Sequence, residues 1–186
     1  MSRILTWFFD YLFGVPFYCP GCGTKPVERA PYLCGDCIEA FPFNPDLAKS
    51  RTDLFCLGLP KEPLLTWVRR VSREGDYRLA WTLGHVLGMF AEGERTLRTK
   101  EGVVFAPRLD PSGSYDFRRI LAQQVANYLS LPITSLDEYE REPDRKPILL
   151  VHDILDRDLE VACVEIGCQI LCLARTSDAH DNGAED

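Results

Sequence analysis

Four cysteines near the start of the chain, Cys19 and Cys22 followed by Cys34 and Cys37, form two CxxC pairs separated by eleven residues. A CxxC turn presents two thiolates to one side of a metal ion, and two such turns close a tetrahedral sphere of four sulfurs. The spacing predicts a structural zinc site, because a closed sphere leaves no position for a reactive water. Pro20, Gly21, Gly23 and Gly35 stand where tight knuckles need them. Two disulfides, or four unrelated thiols, are the competing readings; the opening residues do not read as a secretory leader, which weighs against both. The other four cysteines, Cys56, Cys163, Cys168 and Cys172, lack metal-ligand spacing and are expected to be buried structural thiols.

Two further groups of residues can do chemistry. Arg69, Arg70, Arg73 and Arg78, interleaved with Trp67, Tyr77 and Trp81, offer phosphate contacts and stacking faces for a single-stranded nucleic acid. A solvated basic helix face is the plainer alternative. His152 and Asp153 are neighbours after an apolar run, but no serine or cysteine nucleophile is identifiable beside them, so His152 is expected to be a polar residue ending a strand.

The elements that must position these groups follow from hydrophobic spacing. With 186 residues and 46% hydrophobic content, the chain can bury one substantial core plus a small metal module. Positions 4, 5, 8, 9, 12 and 13 form an apolar helical stripe that is too short for a bilayer, which needs about 20 residues. Leu64, Leu65, Val68 and Val71 mark one helix, and Leu79 to Phe90 a second that ends near Gly93. Val103 to Ala106 reads as a buried strand, Phe117 to Tyr128 as a helix and Ile148 to Val151 as a strand covered on both faces. A helix near Leu159 to Ile166 and a strand through Ile170 to Leu173 complete a βαβαβ series, which implies a parallel sheet. The expected division is 1–45 for the N-terminal helix and metal module, 46–176 for the α/β domain and 177–186 for a disordered tail. Net charge is −7, but residues 137 to 186 hold 14 acidic and 5 basic side chains, leaving +2 for residues 1 to 136. Phosphate would be repelled by the later segment, so a nucleic-acid surface belongs in the earlier one.

The zinc pairs, the run Arg73-Glu74-Gly75-Asp76-Tyr77-Arg78-Leu79-Ala80, a Val-Val-x-x-Pro strand, the segment Ile148 to Asp153 and an Ala174-Arg175 ending together resemble the ComF/GntX family over about residues 10 to 176. That resemblance implies a zinc finger joined to a type I phosphoribosyltransferase-like domain, a cytoplasmic location, and a role in competence and DNA uptake, with single-stranded DNA or other competence proteins as partners. In such transferases two adjacent acids hold the ribose hydroxyls of the donor, and a Thr- and Gly-rich loop at a helix start cradles its phosphate. Here Asp153 matches one acid of the pair, and Asp158 and Glu160 stand in the loop. Two unit charges about 4 Å apart interact by roughly 4 kcal/mol at an effective dielectric near 20, so carboxylates facing a phosphate oppose binding. The segment matching the family's Arg-Gly-Phe-Asn-Gln stretch, Gly113 to Arg119, is only loosely related, and Thr134 to Lys146 is short and acidic. The expectation is a degenerate transferase site on a DNA-handling or partner-binding protein. An active transferase with an altered phosphate loop and a purely protein-binding module are the alternatives.

Overall fold

The computed structural model describes residues 17–28, 32–43, 54–107, 116–141, 148–155 and 168–175. The N-terminal apolar stripe, the helix expected near Leu159, Cys163, the loop of Asp158 and Glu160 and the tail from Ser177 lie outside them.

A two-stranded antiparallel hairpin, β1 (Phe17–Tyr18) and β2 (Pro26–Val27), is followed by the short helix α1 (Gly35–Glu39). Then come β3 (Leu54–Gly58), α2 (Leu64–Arg69), α3 (Tyr77–Gly93), β4 (Gly102–Phe105), α4 (Phe117–Leu129), β5 (Ile133–Ser135), α5 (Leu136–Tyr139), β6 (Ile148–Leu155) and β7 (Gln169–Arg175). The five later strands form one parallel sheet in the order β3-β7-β6-β4-β5. The molecule is thus a mixed α/β protein, with a cysteine cluster near its N-terminus. Among the described residues no helix is long and apolar enough to cross a membrane.

Strand alternation sorts the sheet into two dry faces. Phe55, Leu57, Val103, Phe105, Leu149, Val151, Leu171 and Leu173 face α3 and α4 in the larger core. Leu54, Cys56, Val104, Ile148, Leu150, Ile170 and Cys172 pack with Tyr139 and Cys168 on the other side. Helices α3 and α4 cross closely because α3 carries glycines one turn apart on that side. A Cβ on Gly84 would come within 2.9 Å of Gln124, and one on Gly88 within 2.3 Å of the Tyr128 ring.

Two strands were not expected from the spacing. β3 and β5, at the two edges, are short, and β3 has no polar alternation because all five of its residues are buried. The helix after β3 also departs from a simple pattern. α2 runs into a π-helical turn, Arg70–Glu74, which ends at Gly75 with φ of 68°. That wider turn re-aims Arg70 relative to the regular helix that would group it with Arg69 and Arg73.

Gly58 closes the sheet edge. Its partner across an isolated bridge is Phe43, and a Cβ there would lie 2.4 Å from the Pro42 carbonyl oxygen, a backbone atom that cannot swing aside. Gly58→Ala is therefore expected to lower stability by about 2 kcal/mol. Urea unfolding checks this, and an unchanged midpoint would show that the 42–43 segment is free to move.

Candidate metal centre

The first CxxC pair sits in a turn enclosed by the β1–β2 hairpin. The Gly23 amide donates to the Cys19 carbonyl at 2.7 Å and the Cys19 amide donates to the Lys25 carbonyl at 2.8 Å. Gly23 takes φ of 72°, a left-handed conformation that suits glycine. The second pair uses a helix start: Cys34 is the N-cap of α1 and Cys37 lies in its first turn. The pairs meet where the Cys34 amide donates to Cys19 Sγ at 3.2 Å. Lys25, just past the first pair, forms an ion pair with Asp36 inside the second.

All four sulfurs lie within 4.8 Å of one another, and Cys22 Sγ is 3.9 Å from Cys34 Sγ. A tetrahedral site with metal–sulfur bonds of about 2.3 Å places its sulfurs about 3.8 Å apart, so the cluster can hold a metal ion with little rearrangement. Cys19, Cys34 and Cys37 are buried and Cys22 is exposed. Their acidities diverge accordingly. The hydroxyl and amide of Thr24, with other donors, lower Cys22 to about 6. Burial pushes the Cys37 thiol well up, and the neighbouring sulfurs add to the effect. Four thiolates this close repel one another, and a divalent cation offsets that repulsion.

The module is anchored to the domain through the knuckle backbone. Arg70 donates through Nη1 to the Gly21 carbonyl at 2.6 Å and through Nη2 to the Pro20 carbonyl at 3.1 Å. The same Nη2 lies 2.6 Å from Asp76 Oδ2. Asp76 is in turn the N-cap of α3, accepting from the Leu79 amide at 3.1 Å. Beneath the turn, a Cβ on Gly21 would stand 2.9 Å from the Trp67 ring, so only glycine allows this approach. Trp67 is buried against Phe41.

These contacts divide the residues singled out for nucleic acid. Arg70 is committed to the knuckle and Trp67 is inside the core, so neither has a face for a strand of nucleic acid. Arg69 is exposed and pairs with Glu62 at 3.5 Å. Arg73, Tyr77 and Arg78 are exposed and Trp81 is half-buried. Three rings the spacing did not single out join this surface around His85. Trp81 stacks on His85 at 6.4 Å between centroids, Tyr32 of the metal module approaches its edge at 5.9 Å, and Tyr128 contacts it at 5.2 Å with its hydroxyl 2.7 Å from Nδ1. Burial holds the His85 pKa below its usual value. Positions 77, 81 and 85 recur every four residues, a signal present in the sequence, whereas the additions of Tyr32 and Tyr128 depend on packing.

Asp153 occupies a second position of interest. The order β5-β4-β6-β7 places β4 between strands reached in opposite directions, so the crevice beyond the carboxyl ends of β4 and β6 is the topological switch point, where open α/β sheets bind ligands. Phe105 is the last β4 residue paired to β6, opposite Val151; His152, expected to end the strand, and Asp153 instead lie inside β6, which runs on to Leu155 because β7 continues to pair with it. Arg118 of α4 donates through Nε to Asp153 Oδ1 at 2.9 Å. His152 Nδ1 lies 2.9 Å from the same oxygen and 3.1 Å from the Ile154 carbonyl; since both are acceptors, Nδ1 carries the proton. Burial works against ionisation of Asp153, but the His152 hydrogen bond and the His152 and Arg118 charges outweigh it and hold the carboxyl below the usual range. Arg118 went unassigned because nothing local marks a residue 35 positions from its partner.

A parallel five-stranded α/β sheet carrying a four-cysteine module able to hold a metal is the class that fold and site define. No protein-family model and no curated protein matches the chain.

Two outcomes are expected. Metal analysis should find one ion per chain, lost in Cys34→Ser together with the module's fold; a chain free of metal after chelator-free preparation would count against the site. Because thiols must shed protons to bind, and Cys37 holds its proton above the usual range, apparent metal affinity should rise with pH and fall as pH drops. A competition titration across pH tests the sign.

Proposed function

We propose that this chain is a zinc-stabilised protein of phosphoribosyltransferase-like fold that has lost donor chemistry and handles single-stranded nucleic acid on the α3 face. Four thiolates within 4.8 Å of one another suit zinc, which would hold the knuckles through Cys19, Cys22, Cys34 and Cys37 as a structural ion. The strand order and the placement of Asp153 at the switch point support the transferase-like assignment. Oδ1 of Asp153, however, is already engaged by Arg118 and His152, and the sequence that follows carries Asp158 and Glu160 where such transferases have Thr and Gly.

The nucleic-acid reading is carried by one observation, the row Tyr77, Trp81 and His85 along α3 beside exposed Arg73 and Arg78. Residues four apart share a helix face, so the rings form a stacking platform and the arginines supply phosphate contacts. The resemblance read from the sequence implies DNA uptake as the setting of such binding.

Anisotropy titration with a labelled oligothymidine tests this. Trp81→Ala should weaken binding roughly tenfold, the scale of one base–aromatic stack. Arg73→Ala with Arg78→Ala should flatten the logarithmic salt slope by about 1.4, at about 0.7 per phosphate contact. Unaltered affinity and slope would remove this face and favour a protein partner for the module, whose Ile38 and Phe43 are exposed. Calorimetry with phosphoribosyl pyrophosphate and magnesium should register no binding; a micromolar, magnesium-dependent isotherm would restore the transferase reading.

A further inference from the structure

Cys56 and Cys172 meet across β3 and β7. They are direct partners in the parallel register, 1% and 0% exposed, and their sulfurs are 2.8 Å apart. The flanking positions on that face, Leu54, Ile170 and Leu150, are aliphatic, so the dry layer contains two thiols placed side by side among hydrocarbon. Neighbouring strands lie about 4.8 Å apart, within the Cα separation of roughly 4.4 to 6.8 Å that a disulfide requires. The strand spacing thus falls within the range a disulfide spans, and the sulfurs need only close from 2.8 Å to a bond of about 2.05 Å. Its position also matters: among the described residues β3 pairs in the sheet only with β7, whereas β7 is held on its other side by β6, where Cys172 is the register partner of His152.

We propose that Cys56 and Cys172 are a redox-active pair whose reversible disulfide staples the edge strand β3 to the sheet. Local opening of the edge admits a low-molecular-weight disulfide such as oxidised glutathione. One cysteine thiolate, its proton released to solvent, attacks a sulfur of that molecule, forming a mixed disulfide and expelling one glutathione thiolate. The second cysteine thiolate attacks the protein sulfur of the mixed disulfide and expels the other. Two protein thiols lose two electrons and two protons, and one oxidised glutathione becomes two reduced ones. This inference is independent of the nucleic-acid reading and of the metal cysteines.

The test equilibrates zinc-loaded protein in glutathione buffers of graded ratio, alkylates free thiols and maps tryptic peptides by mass spectrometry. At oxidising ratios peptide 52–61 should be joined to peptide 158–175 through Cys172, and dithiothreitol should separate them with metal content unaltered. The cross-link closes a loop of 116 residues, so the melting midpoint should rise by roughly 10 °C, a shift missing from Cys56→Ser and Cys172→Ser. Approaching equilibrium from denatured protein as well removes slow access as an explanation. Alkyl label on both cysteines at every ratio from both directions, or a bond from Cys172 to Cys168 or Cys163 instead, would overturn the proposal.

Discussion

One guanidinium holds the two halves of the described molecule together. Arg70 reads the backbone carbonyls of Pro20 and Gly21, so it recognises the shape of the folded knuckle rather than any side chain on it. Its other partner, Asp76, is the residue that starts α3. The fold of the cysteine turn is thereby linked to the first turn of the helix that covers the sheet. A lysine could not serve in the same way, because a point charge lacks the planar fork that spans two carbonyls and a carboxylate. Hydrogen bonds to a charged donor of this kind contribute about 1.5 to 3 kcal/mol each.

The packing beneath that interaction reinforces it. Trp67 fills the space under Gly21, and the π-helical turn that follows α2 aims Arg70 at the knuckle. The wider turn costs regular helix geometry but gives both side chains, three positions apart, a common target. Gly58 and Pro42 provide a second join, where backbone meets backbone at the sheet edge.

Charge compensation organises the other end of the sheet. Asp153 is nearly inaccessible, and an isolated carboxylate in such a place would take up a proton. Arg118 arrives from α4 and His152 from the same strand, both at Oδ1, so the acid keeps its charge. An ion pair between α4 and β6 thereby ties the helix layer to the sheet beside the last paired residue of β4.

Much of this was legible in the sequence. The CxxC spacing located the cysteine cluster because a turn of four residues fixes where its two sulfurs go, with no help from the rest of the chain. The helical stripe from Leu79 to Phe90 and the apolar runs at 103–106, 148–151 and 170–173 marked α3, β4, β6 and β7, since each element must bury its own regular face. The three-residue edge strand β5 carries too few residues for a period to emerge, and β3, although longer than β4, was missed as well. The roles of individual side chains were decided only by tertiary structure. Arg69 and Arg70 are adjacent and chemically identical, yet one is exposed beside Glu62 and the other is locked to the knuckle, because a π-turn and the position of Gly21 set their directions. Arg118 and Asp153, like Cys56 and Cys172, become partners through strand order and helix crossing. A sequence specifies local periodicity residue by residue, but contacts over 35 or 116 positions exist only once the whole sheet has been assembled.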